Sequence, residues 1–360
     1  MIDFNNEGIQ IESKFGGSEK KTAMKMSNGI EYMIKYPDPV REKKTREIMS
    51  YKNNQFSEHI GCQIFNACGI EVQETLMGYL TDKKGKRRIV TACRDFEQTG
   101  GKLYEMKSLS NQVNIDDNRS DVNIEKVISI IEEHDSIKDK QAVKDSFWDM
   151  FVVDALIANK DRHLGNWGLL KENGEMRFAP VYDCGSSLGA MLTDEEMSEL
   201  LNPESKSIFR QAEIQNAISC YSMKGGTQRI QYHKIFEKPP AELQEAIKRV
   251  VPKIDIGKIH DIIDAVESMP EVRKEYLKKA VSLRYEQILQ PAWKRAISEL
   301  QRTHASETTP PTSPPFANQP APTSLGTDIL NQAQARADVI NAARHAATPA
   351  QVKQSHDVEI

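Results

Sequence analysis

Apolar and polar residues along the chain repeat with two different periods. Ile30 to Lys35 (IEYMIK) alternates and stops before Pro37 and Pro39, which predicts a strand with a firm end. Phe56, Ile60, Ile64, Phe65 and Cys68 fall on one face at helical spacing, with Gly69 as the expected C-terminal cap. Val72–Leu80 and Arg87–Cys93 read as two strands around the polar turn Asp82-Lys83-Lys84-Gly85. Strand, helix and antiparallel strands in that order predict a small sheet backed by one helix. Farther on, the helical period takes over. Ala142–Lys160 is apolar nearly all round, the mark of a buried helix. Ile254–Ser268 and Glu271–Leu300 read as longer amphipathic helices, and residues 111–121 (NQVNIDDNRSD) as a polar connector. The fold class is α+β in two parts: a β-rich lobe over residues 1–111 and a mainly helical lobe over 112–304.

After His304 the pattern breaks. Ala305–Leu325 is rich in Pro, Thr, Ser and Ala and buries too little apolar surface to offset the entropy of ordering. It is expected to be a disordered linker within a Pro/Ala-rich tail, residues 305–360. Asp328–Ala347 has scattered apolar residues that suit an isolated helix. The net charge of −4 provides no broad field for nucleic acid or a membrane surface, so neither is an expected partner. The five cysteines form no C-x-x-C pair and suggest a reducing compartment. The N-terminus lacks a secretory signal, and no stretch is apolar enough to span a bilayer. The expected location is cytoplasmic, with secretion or translocation into a host cell by a signal-independent route left open.

Candidate chemistry concentrates in ANKDRHLGNWGLLKENGEMRFAPVYDCGSSLG, Ala158 to Gly189. Asp161 precedes Asn166 by five positions, and Asp183 follows after two short strands, Trp167–Leu170 and Met176–Val181. Those strands flank Glu172-Asn173-Gly174-Glu175, and Asn-Gly is the strongest short-range hairpin signal. A hairpin returns the chain, so Asp183 is expected beside Asn166. Phosphoryl transfer needs hard oxygen ligands for a divalent ion and a carboxylate that takes the attacking hydroxyl's proton. Asn166 and Asp183 suit the metal role and Asp161 the base. Each residue alone is a common turn or cap residue; the three together, joined by a hairpin, point to the chemistry.

Kinases carry the rest of the site earlier in the chain. Phe15-Gly16-Gly17-Ser18-Glu19-Lys20-Lys21-Thr22 is a small basic turn whose backbone N–H groups and lysines suit phosphates, although it matches neither common phosphate-loop spacing. Lys35 ends its strand, and Glu58 sits in the first turn of the following helix as its expected partner. His163 reads as a loop-bonding histidine. His59, Cys62 and Cys68 lack a fourth ligand and read as core rather than a zinc site.

Taken in order, Phe15-Gly16-Gly17, Met33–Pro37, Phe56-Ser57-Glu58, Val72–Leu76, Phe147–Phe151, Asp161-Arg162-His163, Gly165–Gly168 and Asp183–Ser186 resemble the cell-translocating kinase A (CtkA) group of bacterial Ser/Thr kinases, within the broader HipA-like toxin-kinase family. The likeness runs from about Ile2 to about Leu300. It implies a two-lobed protein-kinase-like fold related to phosphatidylinositol kinases, with ATP and Mg²⁺ as cofactors. It implies Lys35 on the ATP phosphates, paired with Glu58; Gly16, Gly17, Ser18 and Lys20 over them; Asp161 as base; and Asn166 and Asp183 on Mg²⁺. The hinge that contacts adenine would be Ala92–Phe96, with Cys93 and Asp95. HipA-like kinases phosphorylate a serine in or near their own phosphate loop, which makes Ser13 and Ser18 the candidates. HipA's additional N-terminal subdomain is expected to be missing, because the sequence starts almost at the phosphate loop. The expected activity is that of an autophosphorylating protein serine/threonine kinase, a toxin or effector with an unknown protein substrate and an antitoxin or host protein as candidate partner. A phosphatidylinositol-type lipid kinase and a non-catalytic pseudokinase scaffold are the alternatives.

Overall fold

In the computed structural model, which describes residues 1–12, 21–37, 53–81, 85–112, 123–223, 226 and 228–307, the alternating segments build one six-stranded sheet. Its elements are β1 (Ile2–Asp3), α1 (Phe4–Glu7), β2 (Gly8–Ile11), β3 (Lys21–Met26), β4 (Glu31–Lys35), α2 (Asn54–Ala67), β5 (Thr75–Thr81) and β6 (Arg87–Arg94). The strand order is β1-β5-β6-β4-β3-β2. Every pairing is antiparallel except that of β1 with β5. The face of α2 read from the sequence, Phe56, Ile60, Ile64 and Phe65, is buried in the main core. On the sheet's other face Phe4, Met24, Met26, Tyr32, Ile34, Val90 and Ala92 form a separate small core. Gly78 is required there, because a Cβ would stand 2.4 Å from the Phe4 ring and from the Ile2 carbonyl.

β7 (Lys102–Glu105) and α3 (Met106–Gln112) follow, and β7 pairs not with the large sheet but with β8 (Gly168–Glu172). With β9 (Glu175–Phe178) they make a three-stranded sheet that packs against α5 (Lys140–Ile157), which in turn contacts α4 (Ile124–Glu133). The remainder is largely helical: α6 (Asp194–Leu201), α7 (Lys206–Arg210), the ribbon β10–β11 (Ile218–Ser222, Arg229–Gln231), α8 (Tyr232–Glu237), α9 (Ala241–Val250), α10 (Ile256–Asp264), α11 (Glu271–Arg284) and α12 (Gln290–Glu307). No helix of the described residues is long and apolar enough to cross a membrane. The linker and helix expected beyond residue 307 lie outside the described residues.

Several expected boundaries shift, each for a local reason. The strand expected from Val72 starts at Thr75, because Val72 bridges to Val181 while Gln73 N donates to the Val181 carbonyl at 2.8 Å. That same clip ends β9 short of Val181. The helix expected to reach Lys160 ends at Ile157, where Ala158 turns left-handed (φ 51°). The long helix expected over Glu271–Leu300 is interrupted by a π-turn, Tyr285–Leu289. Pro291 explains it: a proline lacks the N–H and its ring crowds the carbonyl four residues back, here Gln287, and a wider turn relieves both. Glu58 falls in the second turn of α2, since that helix begins two residues earlier than its apolar face.

His59, tested above as a metal ligand, hydrogen-bonds Thr75 Oγ1 at 2.9 Å, and Cys62 and Cys68 are buried free thiols. Burial holds the His59 imidazole down to about 4. The unfolded chain, with histidine near 6.5, therefore binds the proton more readily throughout that interval. Stability is expected to be full above about pH 6.5 and to fall as pH drops toward 4. Urea midpoints across that range, compared with those of His59→Gln, check this: the variant should show a shallower slope. Equal slopes would remove His59 as the cause.

Candidate active site

The loop after α5 is fixed from its first residue. The αL turn at Ala158 ends the helix, and Asn159 Nδ2 then donates to Asp154 Oδ1 at 3.0 Å. Asn159 Oδ1 accepts the Asp161 N–H at 3.1 Å, and its carbonyl takes the Tyr232 hydroxyl at 2.6 Å. β8 and β9 then form the hairpin expected from Asn173-Gly174, both with positive φ (51° and 84°) and with Glu172 opposite Glu175. Asn tolerates that region and Gly enters it at no steric cost, which is what a two-residue turn demands.

Arg162 joins the two ends of this hairpin. Its side chain is 1% exposed, and Nε and Nη2 meet Asp154 at 2.9 and 3.0 Å. Nη1 donates to the carbonyl oxygens of Asn166 at 3.0 Å, of Asp183 at 3.1 Å and of Tyr182. One buried guanidinium thus sets the distance between the catalytic-loop candidate and the strand end that carries Asp183. Neither Arg162 nor Asp154 was singled out in the sequence. A carboxylate inside an otherwise apolar helix was the signal, because a fully buried Asp requires a partner.

Three elements converge on Lys35. From the end of β4, its Nζ lies 3.0 Å from Glu58 Oε1 on α2 and 2.9 Å from Asp183 Oδ1. Lys35 and Glu58 are 4% and 0% exposed, whereas the Asp183 side chain keeps 30% exposure. Asp183 is held in the left-handed region (φ 59°), a conformation that non-glycine residues adopt at some cost and that recurs at functional sites. Glu58 Oε2 is buried without a hydrogen-bond partner, and a Cβ on Gly185 would stand 3.3 Å from it. The start of α2 is tied to the segment beyond Asp183: Asn53 N donates to Ala190 O (3.1 Å), Asn53 Nδ2 to Leu192 O (3.2 Å) and Ser57 Oγ to Ser187 O (2.8 Å).

Asp161 and Asn166 stand together across the loop. Asn166 Nδ2 donates to the Asp161 carbonyl at 2.7 Å, which leaves its Oδ1 as an oxygen ligand. Asp161 Oδ2 accepts the Ser186 hydroxyl at 3.4 Å. His163 Nδ1 accepts the Gly165 N–H at 3.1 Å, the loop-bonding role read from the sequence. Among the described residues no three His, Cys, Asp or Glu side chains gather into a freestanding metal site. One carboxylate and one amide oxygen fit a different need: Mg²⁺ commonly takes one or two protein oxygens and completes its shell with substrate phosphate and water. The donor set therefore fits an ion that arrives with a nucleotide.

Gly16, Gly17, Ser18 and Lys20, with Ser13, lie outside the described residues. Cys93 is fully buried inside the sheet, its Sγ 3.8 Å from Glu58 Oε1, and burial pushes its thiol up. Its thiol therefore sits behind the Lys35–Glu58–Asp183 cluster. Asp95 is buried too, and its carboxylate caps the short 3₁₀ turn Phe96–Thr99 by accepting the Glu97 N–H at 3.0 Å.

A two-lobed arrangement with a buried strand lysine, a helix glutamate and an Asp/Asn/Asp set is the ground plan of a kinase. The model of the HipA-like C-terminal domain matches residues 13–255. The chain belongs to the HipA-like family. This HipA-like chain is 34% identical over 307 residues to the serine/threonine-protein kinase CtkA of Helicobacter pylori, covering 84% of this chain and 90% of that protein. The crystal structure of the Helicobacter pylori proinflammatory kinase CtkA superposes with a TM-score of 0.71 at 32% identity, covering 82% of this chain and 98% of that one. The fold is the two-lobed, protein-kinase-like α+β fold expected from the sequence, and this HipA-like protein is a kinase-class enzyme.

Proposed function

We propose that this enzyme is an ATP- and Mg²⁺-dependent protein serine/threonine kinase that also phosphorylates itself. The observation that carries the reading is the convergence of Lys35, Glu58 and Asp183, with Asn166 tied to Asp183 through Arg162 and to Asp161 through its own side-chain amide. Glu58 holds the Lys35 ammonium toward the cleft, where it binds nucleotide phosphate. Asn166 Oδ1 and the Asp183 carboxylate hold Mg²⁺. When bound, that ion neutralises charge on the phosphates. Asp161 orients the acceptor hydroxyl and takes its proton. Ser13 and Ser18 are the proposed sites of self-phosphorylation. A phosphoinositide substrate is disfavoured by the segment after Asp183: Cys184 to Leu192 carries no basic residue and leads into Asp194-Glu195-Glu196 at the start of α6.

The purified full chain, given radiolabelled ATP and Mg²⁺, is expected to label protein and not phosphoinositide vesicles. Phosphosite mapping by mass spectrometry should place the label on Ser13 or Ser18. Labelled lipid without labelled protein would replace this reading with the lipid-kinase one. Folded protein that transfers to neither would leave a nucleotide-binding scaffold.

A further inference from the structure

Lys160 is a charged residue that the chemistry above does not use. It precedes Asp161 directly, is half-buried, and its Nζ contacts only a thioether, Met191 Sδ at 3.0 Å. Among the described residues its ammonium makes no ion pair. Two carboxylates lie within electrostatic reach: that of Asp161, the candidate base, and that of Glu213, which is already committed to Tyr276 and Arg284. Arg229 on β11 adds a second positive charge. Burial accordingly pulls the lysine below its ordinary range. A half-buried cation that no carboxylate touches is costly to keep, and an arriving anion in direct contact offsets part of that cost.

Its neighbours belong to the surroundings of Asp161. Ser186 Oγ donates to Asp161 Oδ2 at 3.4 Å, which marks where a hydroxyl meets that carboxylate. Met191 lies in the same segment after Asp183 and presents a flexible apolar side chain. The phosphate side of the cleft already has its own lysine, Lys35. Lys160 lies instead next to Asp161 in the chain and against Met191 of the segment after Asp183.

We propose that Ser186, Met191 and Lys160 form the acceptor subsite, and that Lys160 selects an acidic side chain, Asp or Glu, close to the phosphorylated hydroxyl of the acceptor protein. This rests on the protein-kinase reading. The contact is a charge-assisted pair in a partly water-excluded place, where one such pair typically shifts selectivity by about tenfold.

The test uses the full chain with ATP, Mg²⁺ and a serine-centred peptide library in which each flanking position is varied. Wild type should favour Asp or Glu over Asn or Gln at one or two flanking positions by about tenfold in kcat/KM. Lys160→Met, which keeps the packing against Met191, should bring that ratio close to one. Lys160→Glu should turn the preference toward Lys or Arg. Thermal melts confirm that both variants are folded. A wild type indifferent to acidic flanks overturns the proposal and leaves the kinase reading standing. So does a Lys160→Met enzyme that loses acidic and neutral peptides in equal proportion. Folded wild type that phosphorylates neither peptide nor itself overturns both.

Discussion

Replacing Asp161 by Asn is expected to lower phosphoryl transfer by about 10²–10⁴-fold, the range over which a positioned base accelerates such a step. The substitution is nearly isosteric. The backbone carbonyl that receives Asn166 Nδ2 is retained, as is the N–H bound to Asn159 Oδ1, so the loop keeps its shape. What disappears is the carboxylate that accepts a proton. Nucleotide affinity should change little, because Lys35 and Asp183 are held by Glu58, Arg162 and each other rather than by the Asp161 carboxylate. Single-turnover rates and nucleotide titrations of the two proteins check this. A variant within a few-fold of wild type would show that Asp161 is not the base. Equal losses in binding and rate would make its role structural.

The largest effect on stability is expected from Asp154→Ala. Asp154 sits 1% exposed and supports Arg162 through two contacts and Asn159 through a third. Removing it leaves a buried guanidinium without its counter-charge, which typically costs about 3–5 kcal/mol. Urea unfolding should register that loss in the midpoint with little change in slope. The double variant Asp154→Leu/Arg162→Met separates two roles of the pair. Replacing both charges by apolar groups should recover much of the stability, because a buried ion pair is seldom better than good packing. Activity should not recover, since the carbonyls of Asn166, Tyr182 and Asp183 would have lost their shared donor. An Asp154→Ala protein within about 1 kcal/mol of wild type would contradict the argument.

Local signals made much of the site legible. The Asn173-Gly174 turn announced the hairpin, and the hairpin announced that Asp183 returns to the loop of Asp161 and Asn166. Lys35 and Glu58 were legible as a strand lysine followed by a helix glutamate, and they do meet. Long-range partners were not visible. Nothing near Val72 in sequence marks Val181 as its bridge partner, and nothing near Lys102 marks the pairing of β7 with β8. Strand β3 escaped notice because its sequence, KTAMKM, alternates weakly, and its pairing with β4 supplies what its pattern lacks. Arg162 lay in plain view between Asp161 and His163, yet its role depends on a helix residue eight positions earlier and carbonyls about twenty later.

The ties between the start of α2 and residues 187–192 bear on how the enzyme moves. The side chain of Asn53, at the N-cap of α2, reaches across to Leu192 rather than capping its own helix. Helix and segment therefore travel as a single piece. The helix cannot swing outward without breaking three hydrogen bonds at once. Lys35 is clasped between that helix and Asp183, so the same piece carries both of its ion-pair partners. Any breathing of the cleft has to bend the chain elsewhere, and Gly100, with φ 101°, sits where β6 hands over to β7.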